Sequence, residues 1–419
     1  MKNFIILFAV LIFNSNALFS QSYKEVSLIA DSLYSAKIYL KAGKEYDRAA
    51  NLAWLKTIKK RYYYNAACSY SLAKKMDLAF RSLNLAVDNG FSDKTRVSKD
   101  IDLSYLHKDK RWNSLINAIV PKLSSSNPLS PKLVTSDIQN FYKAFDIAIK
   151  NPKDASKIFK ENYLINGSVG LQDFFAYKVR DIDSFGAHVI KNKSFYKDIR
   201  STVLKVENFK GDIHGYFTEF KTLYPEAVFP DVYFVISDLM SGGTKTNNGL
   251  LINSSVKSKT KKNSINWDKQ TLEWTSDFFK TPVTVIHESV HFNQEGMANE
   301  KTLLKYAMIE GSAEFITELI TGQSDVMRFF TEFIGKEKLI WKDFKKDMYD
   351  DKYMEWMLPQ EGKRPMSAMY WVGYIICKSY YNEAKGKSKS EVINEILNIK
   401  DYKAFYKKSN ADKYINENF

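Results

Sequence analysis

Cysteine is scarce in this chain: Cys68 and Cys377 are the only two in 419 residues. Each sits in an apolar helical pattern, and the two fall in different expected domains, so a disulfide framework is excluded and buried free thiols are expected. Proline is also rare, nine in all, which leaves long stretches free to be helical. Long apolar runs are missing beyond the N-terminus, so nothing downstream is expected to cross a membrane. Histidine is sparse too, with five residues, and that gives weight to any pair at a meaningful spacing.

Charge is abundant but scattered. The formal balance is +14, yet the lysines are dispersed and the densest cluster, Lys257 to Lys262, interrupts a loop rich in Ser, Asn and Thr. No nucleic-acid-binding motif accompanies it, so no nucleic-acid partner is expected and the basic surface reads as solvated. Attraction to acidic substrates or to an anionic envelope stays open.

The chain begins Met1-Lys2-Asn3, followed by the apolar run Phe4 to Phe13 and a small, polar stretch from Asn14 to Ser22. This order matches a secretory signal, too short for a stable span. Cleavage after Ser20 is preferred and cleavage after Ala17 is the alternative, so residues 1–20 are read as a signal peptide. The protein is expected to be exported, either periplasmic or secreted. A mature chain of roughly 400 residues has room for two domains.

Residues 21–120 read as a tetratricopeptide-like helical domain. Ala67, Tyr70, Ala79, Leu83 and Ala86 recur where such a repeat places small and aromatic packing residues, and a weaker copy runs from Leu28 to Trp54. Two units need further helices to cap them, and the segment Trp112 to Val120 is the candidate. The domain serves either as a packing module or as a groove for a protein partner. Residues 121–132, with three prolines and four serines, read as a linker.

From 133 to 419 the pattern is mainly helical. Asp231 to Ile236 and Gly249 to Asn253 are rich in strand formers, and Gly242-Gly243-Thr244 between them suggests a small antiparallel hairpin or sheet. The expected class is therefore mainly α, of α+β type.

One pentapeptide, His287-Glu288-Ser289-Val290-His291, sets two imidazoles one helical turn apart with a carboxylate between them. Residues at i and i+4 share a helix face, so both rings can reach one ion while Glu288, on the neighbouring flank, reaches a water held there. Thr281-Pro282 is expected to cap that helix, and Val283, Ile286 and Val290 to bury it. The following helix, from about Glu300 to Ile320, can return Glu310 as third ligand. That leaves an open position on a catalytic Zn2+, one per chain, whereas a structural zinc closes with four protein ligands. Glu314, one turn further on, can fix the tautomer of a ligating histidine. Gln294 and Met297 occupy the places of the glycine and third histidine of a metzincin, which excludes that variant. His107, His188 and His214 are isolated and read as surface or satisfied core residues.

The order His-Glu-x-x-His followed by Glu-Gly-Ser-Ala-Glu resembles the gluzincin metallopeptidases. More closely, the chain resembles an exported bacterial family of predicted zinc-dependent proteases, a domain of unknown function. The resemblance rests on Gly242-Gly243-Thr244 with Gly249-Leu250-Leu251-Ile252, the two zinc helices, and Arg364-Pro365 with Tyr370-Trp371-Val372-Gly373-Tyr374; it covers about 136 to 381. The resemblance implies a metalloprotease label and a peptide or protein substrate, without naming one.

Three further roles are expected from the residues themselves. An exposed strand edge beside the metal can pair with an extended peptide, which makes Gly242, Gly243, Gly249 and Leu250 candidate substrate contacts. Arg364, Tyr370 and Tyr374 are candidates to stabilise an oxyanion. Glu288 is the candidate general base. The competing readings are a non-catalytic exported scaffold with a vestigial metal site, and a zinc hydrolase of a non-peptide amide.

Overall fold

The computed structural model describes residues 22–120, 124–294, 296–324 and 334–419. The signal-peptide reading of 1–20 lies outside the described residues. The chain is mainly helical with one four-stranded sheet, and it divides into two compact units between Val120 and Pro121. No helix among the described residues is long and apolar enough to cross a membrane.

In the first unit, helices α1 (Tyr23–Ser35), α2 (Tyr39–Leu52), α3 (Lys56–Leu72) and α4 (Met76–Asp88) pack each against the next. Small residues make that possible. Ala42, Ala49, Ala67, Ala79 and Ala86 are wholly buried, and a Cβ on Gly43 would come within 2.7 Å of the Tyr70 ring. Buried Asp47 ties the stack together, accepting from the Tyr70 hydroxyl at 3.0 Å and the Ser82 hydroxyl at 2.8 Å. A helix at Trp112–Ala118 follows near the end of the unit.

In the second unit, the part of the Pro/Ser-rich stretch that is described is no free tether. Ser125 exchanges backbone hydrogen bonds with Phe229, and the Lys132 N–H donates to the Asp231 carboxylate at 2.8 Å. Strands β1 (Leu133–Val134), β2 (Val232–Val235), β3 (Gly243–Thr246) and β4 (Gly249–Asn253) lie in the order β1-β2-β4-β3.

The pairing differs from a plain antiparallel sheet. β2 and β4 run parallel, and the hairpin joins β4 to β3, which the sequence marked only by its glycines. The reason is visible in the burial: β2 and β4 are buried at every residue, as central parallel strands are, instead of alternating. Buried Asn253 holds the crossing loop, its side-chain amide donating to the carbonyls of Asp238 at 2.6 Å and Ser241 at 3.0 Å. β3 is left as an edge strand.

Three helices are built against this sheet and one another. The histidine helix (Thr281–Phe292) packs on β3 and β4, the glutamate helix (Leu303–Thr321) packs on the histidine helix, and the tyrosine helix (Ala368–Glu383) packs on the glutamate helix. The histidine helix starts one residue earlier than its capping signal suggests, with Lys280 in the cap position. Thr281 is its first residue, and the Thr281 hydroxyl donates back to the Phe278 carbonyl at 2.6 Å. Every side chain from Thr281 to Ile286 is buried, so this is a central helix, not one with a single apolar face.

Candidate metal centre

The i, i+4 spacing does what helix geometry dictates. The His287 and His291 Nε2 atoms face each other 3.0 Å apart, and the Glu310 Oε2 lies 3.2 Å from His291 and 3.6 Å from His287. Around a tetrahedral ion with bonds of about 2.0–2.1 Å, donors are separated by roughly 3.3 Å, so the triplet fits zinc as it stands.

The outer nitrogens are committed elsewhere. His287 Nδ1 lies 3.2 Å from the Glu314 carboxylate, and His291 Nδ1 lies 2.7 Å from the Gln294 side-chain oxygen. Gln294 is itself fixed, its amide donating to the Ile309 carbonyl and the Ser312 hydroxyl, each at 2.8 Å. Both rings are thereby turned so that Nε2 points to a common locus.

Electrostatics agree with this. Burial works against a charged imidazole, yet hydrogen bonds to Glu310 and Glu314 and their charges hold His287 well above its ordinary value. His291 is also raised, chiefly by Glu310, against its own burial. Burial pushes Glu310 up, but His291 and His287 outweigh it and hold the carboxyl far below its usual range. Such a knot of carboxylate and imidazoles is what a divalent cation can take over by displacing protons.

Two close approaches place these groups. A Cβ on Gly243 would come within 2.6 Å of Glu288 Oε1, so the edge strand presses against the carboxylate only because residue 243 has no side chain. A Cβ on Gly311 would meet the Gly373 carbonyl carbon at 2.1 Å, and one on Gly373 would meet the Ala307 oxygen at 1.8 Å. The glutamate and tyrosine helices thus cross backbone against backbone, and Tyr370, one turn before Tyr374, is brought to Glu310.

A cleft of about 770 Å³ opens over the triplet. Gly242, Gly243, His287, Glu288, His291, Glu310 and Tyr370 line it. Tyr374 does not: it is 6 % exposed, and its hydroxyl is engaged by Glu318 and by Lys378. Arg364 lies off the lining, with its guanidinium 4.3 Å from the Trp356 ring and a hydrogen bond to the Glu355 carbonyl at 2.9 Å. Leu250 is wholly buried in β4. Gly249 serves the turn, with φ +143° and the Asp231 carbonyl where a Cβ would stand. Geometry therefore leaves Tyr374, Arg364, Gly249 and Leu250 off the described cleft lining, because order along the chain does not encode which neighbours a residue packs against.

Sequence reasoning missed Gln294 as a partner of His291, although its position three residues on, the next place on that helix face, was a usable signal. It also missed Tyr353, on the short helix Tyr353–Met357, which lines the cleft. Burial pushes the Tyr353 hydroxyl up, with Glu310 adding to it. The other histidines have different partners: His107 lies tilted against Trp112, His214 contacts the Pro131 carbonyl, and half-buried His188 packs edge-on against Tyr196. Both cysteines are free and buried.

Residues 271–399 match a family model described as "Predicted Zn-dependent protease (DUF2268)". The match includes the histidine, glutamate and tyrosine helices but stops short of the 242–252 hairpin, so it is narrower than the stretch of about 136 to 381 that the motifs suggested. No curated protein and no solved structure matches the chain.

Proposed function

We propose that the chain is an exported zinc-dependent metallopeptidase, with the metal held by His287, His291 and Glu310 and the attacking water activated by Glu288. The observation that carries this reading is the convergence of three donor atoms, within 4.8 Å of one another, at a cleft whose wall includes an open strand edge pressed against Glu288.

Zinc, when bound, polarises a carbonyl and lowers the pKa of water toward about 7. Glu288 takes the proton from the attacking water and delivers it to the leaving amine. The edge of β3 supplies backbone N–H and C=O groups to an extended peptide and so lays its backbone across the site. That edge favours a peptide over a small amide or a purely structural role. Tyr370 keeps its proton, because burial and the Glu310 charge hold its hydroxyl well above the ordinary tyrosine value, and it is the donor for the developing oxyanion. The helical hairpins of the first unit fit a tetratricopeptide-like module, and residues 1–20 fit a signal for export to the periplasm or beyond.

The direct test is a mixed peptide library incubated with the purified chain. Hydrolysis is expected to stop on chelation and return with one equivalent of zinc. A zinc-loaded protein that cleaves no peptide would sink the proposal.

A further inference from the structure

We infer that the cleft selects peptides carrying a carboxylate close to the scissile bond, through a cationic wall made by Lys178, Arg180 and Lys245. This rests on the metallopeptidase reading of the same cleft and names its substrate class.

The charges on the cleft lining are unevenly distributed. Among the described lining residues the acidic side chains are Glu288 and Glu310, the two already assigned to the chemistry. Apart from the two histidines, the remaining charged side chains on the described lining are Lys178, Arg180 and Lys245, all cations. Charges inside a cleft are screened less than on an open surface, so these cations bear on a substrate lying there.

The geometry gives the wall a place along the substrate. Alternate residues of a strand share a face, so Lys245 stands on the face of β3 that carries Gly243 against Glu288. Its Nζ lies 5.9 Å from the Phe292 ring, one helical turn beyond Glu288. Two residues of strand span roughly 6–7 Å, so a peptide paired along β3 with its reacting carbonyl beside Glu288 carries the side chain about two positions away past Lys245.

Lys178 and Arg180 end the helical segment that follows Val169–Phe174. The Arg180 backbone is left-handed, with φ +68°. Its N–H donates to the Phe175 carbonyl at 2.7 Å, and its Nε donates to the Tyr177 carbonyl at 3.0 Å. This end is attached to the hairpin through Asp173, 2 % exposed, whose carboxylate accepts from the Thr246 hydroxyl at 2.9 Å and the Asn248 amide at 2.6 Å. One buried acid thus joins the two segments that bear the three cations, fixing their spacing. The carboxylate they recognise is either an internal Asp or Glu side chain or the free C-terminus of the peptide.

The test is direct binding to the full chain carrying Glu288→Gln, with and without zinc, by fluorescence anisotropy. Four labelled peptides of equal length are compared: one with glutamate near its centre and an amidated C-terminus, one with glutamine and a free C-terminal carboxylate, one with glutamine and an amide, and one with lysine and an amide. At least one carboxylate peptide is expected to bind about tenfold tighter than the neutral one, with the lysine peptide weakest and the differences shrinking as salt is added. Which carboxylate peptide wins identifies the source.

The double variant Lys178→Glu/Lys245→Glu is expected to reverse the order, and Lys178→Arg/Lys245→Arg to keep it, with zinc content and melting temperature checking the fold. Equal binding of all four peptides, or an order untouched by charge reversal, overturns the inference. If the reversed variant fails to fold, the order and its salt dependence in the Glu288→Gln parent decide. Ordered binding with no cleavage by the unmutated chain sinks the peptidase reading and leaves the wall. Cleavage of all four peptides alike does the opposite.

Discussion

Two triplets of potential metal donors occur among the described residues, and they differ in where their lone pairs go. In the second unit, His287, His291 and Glu310 turn three donor atoms toward one locus, while Glu314 and Gln294 take the outer ring nitrogens. In the first unit, Cys68, Asp100 and Asp102 lie as close together, but their oxygens are already occupied. The Tyr64 hydroxyl donates to Asp100 at 2.6 Å, the Asp102 N–H donates to Asp100 at 3.0 Å, and the Tyr34 hydroxyl donates to Asp102. Burial, with the two aspartates adding to it, pushes the Cys68 thiol up and away from the thiolate a metal needs. Proximity of donors is therefore not a site; donors turned to one locus, and joined there only by protons a cation can displace, make one.

The largest expected effect belongs to Glu288→Gln. Zinc content should be unchanged while turnover falls by about 10²–10⁴-fold, the usual contribution of a general acid–base, as read by kcat on any cleaved peptide. Loss of zinc instead would make Glu288 part of the ligand set and redraw the triplet. The two tyrosines of one helix face sharpen the same point. Tyr370→Phe should lower kcat by about 10²-fold with little change in KM, as expected for a lost oxyanion donor. Tyr374→Phe should leave kcat alone and shift only the melting temperature, since its hydroxyl serves Glu318.

Glu314→Gln addresses the outer nitrogens. It should weaken zinc binding by about 10–100-fold in a chelator competition while preserving the fold.

Acidity should act on the histidine and glutamate triplet from both sides. His287 is raised well above 6.5 and Glu310 held far below 4.5, so the metal-free chain gains stability from the histidine below about 6.5 and loses it as pH climbs through the raised value. From Glu310 it gains above about 4.5 and loses as pH falls through the depressed value. Melting of the metal-free chain should thus peak between these limits. Because zinc must displace histidine protons, its affinity should fall with decreasing pH and its binding should release protons measurable by calorimetry in buffers of different ionisation enthalpy.

The smallest effect is expected from Cys68→Ser. Zinc stoichiometry should stay at one and turnover should not move; a loss of zinc there would mean the first-unit triplet also binds.

How far the chain could be read in advance follows from the range of the interactions involved. His287, Glu288 and His291 were legible because a single helix fixes their spacing, and Glu310 because its helix follows at once. The segments of β2 and β4 were legible as well, but their parallel pairing was not. A short apolar run says that a strand is buried without saying which neighbour lies beside it, and here Asn253 and the crossing loop decide that. Arg364 and Tyr374 looked catalytic from their order along the chain, yet their contacts with Trp356 and Glu318 are tertiary facts with no local signature. Tyr353 sits in a helix of five residues, too short to leave a periodic pattern.

The crossing of Gly311 and Gly373 carries an evolutionary consequence. With no side chain on either strut, nothing soft lies between them, and any methyl gained at one pushes against main chain of the other. The two positions should behave in descent as a single heritable character: a lineage that abandons one glycine must spread the joint, and in doing so draw Glu310 away from the two histidines.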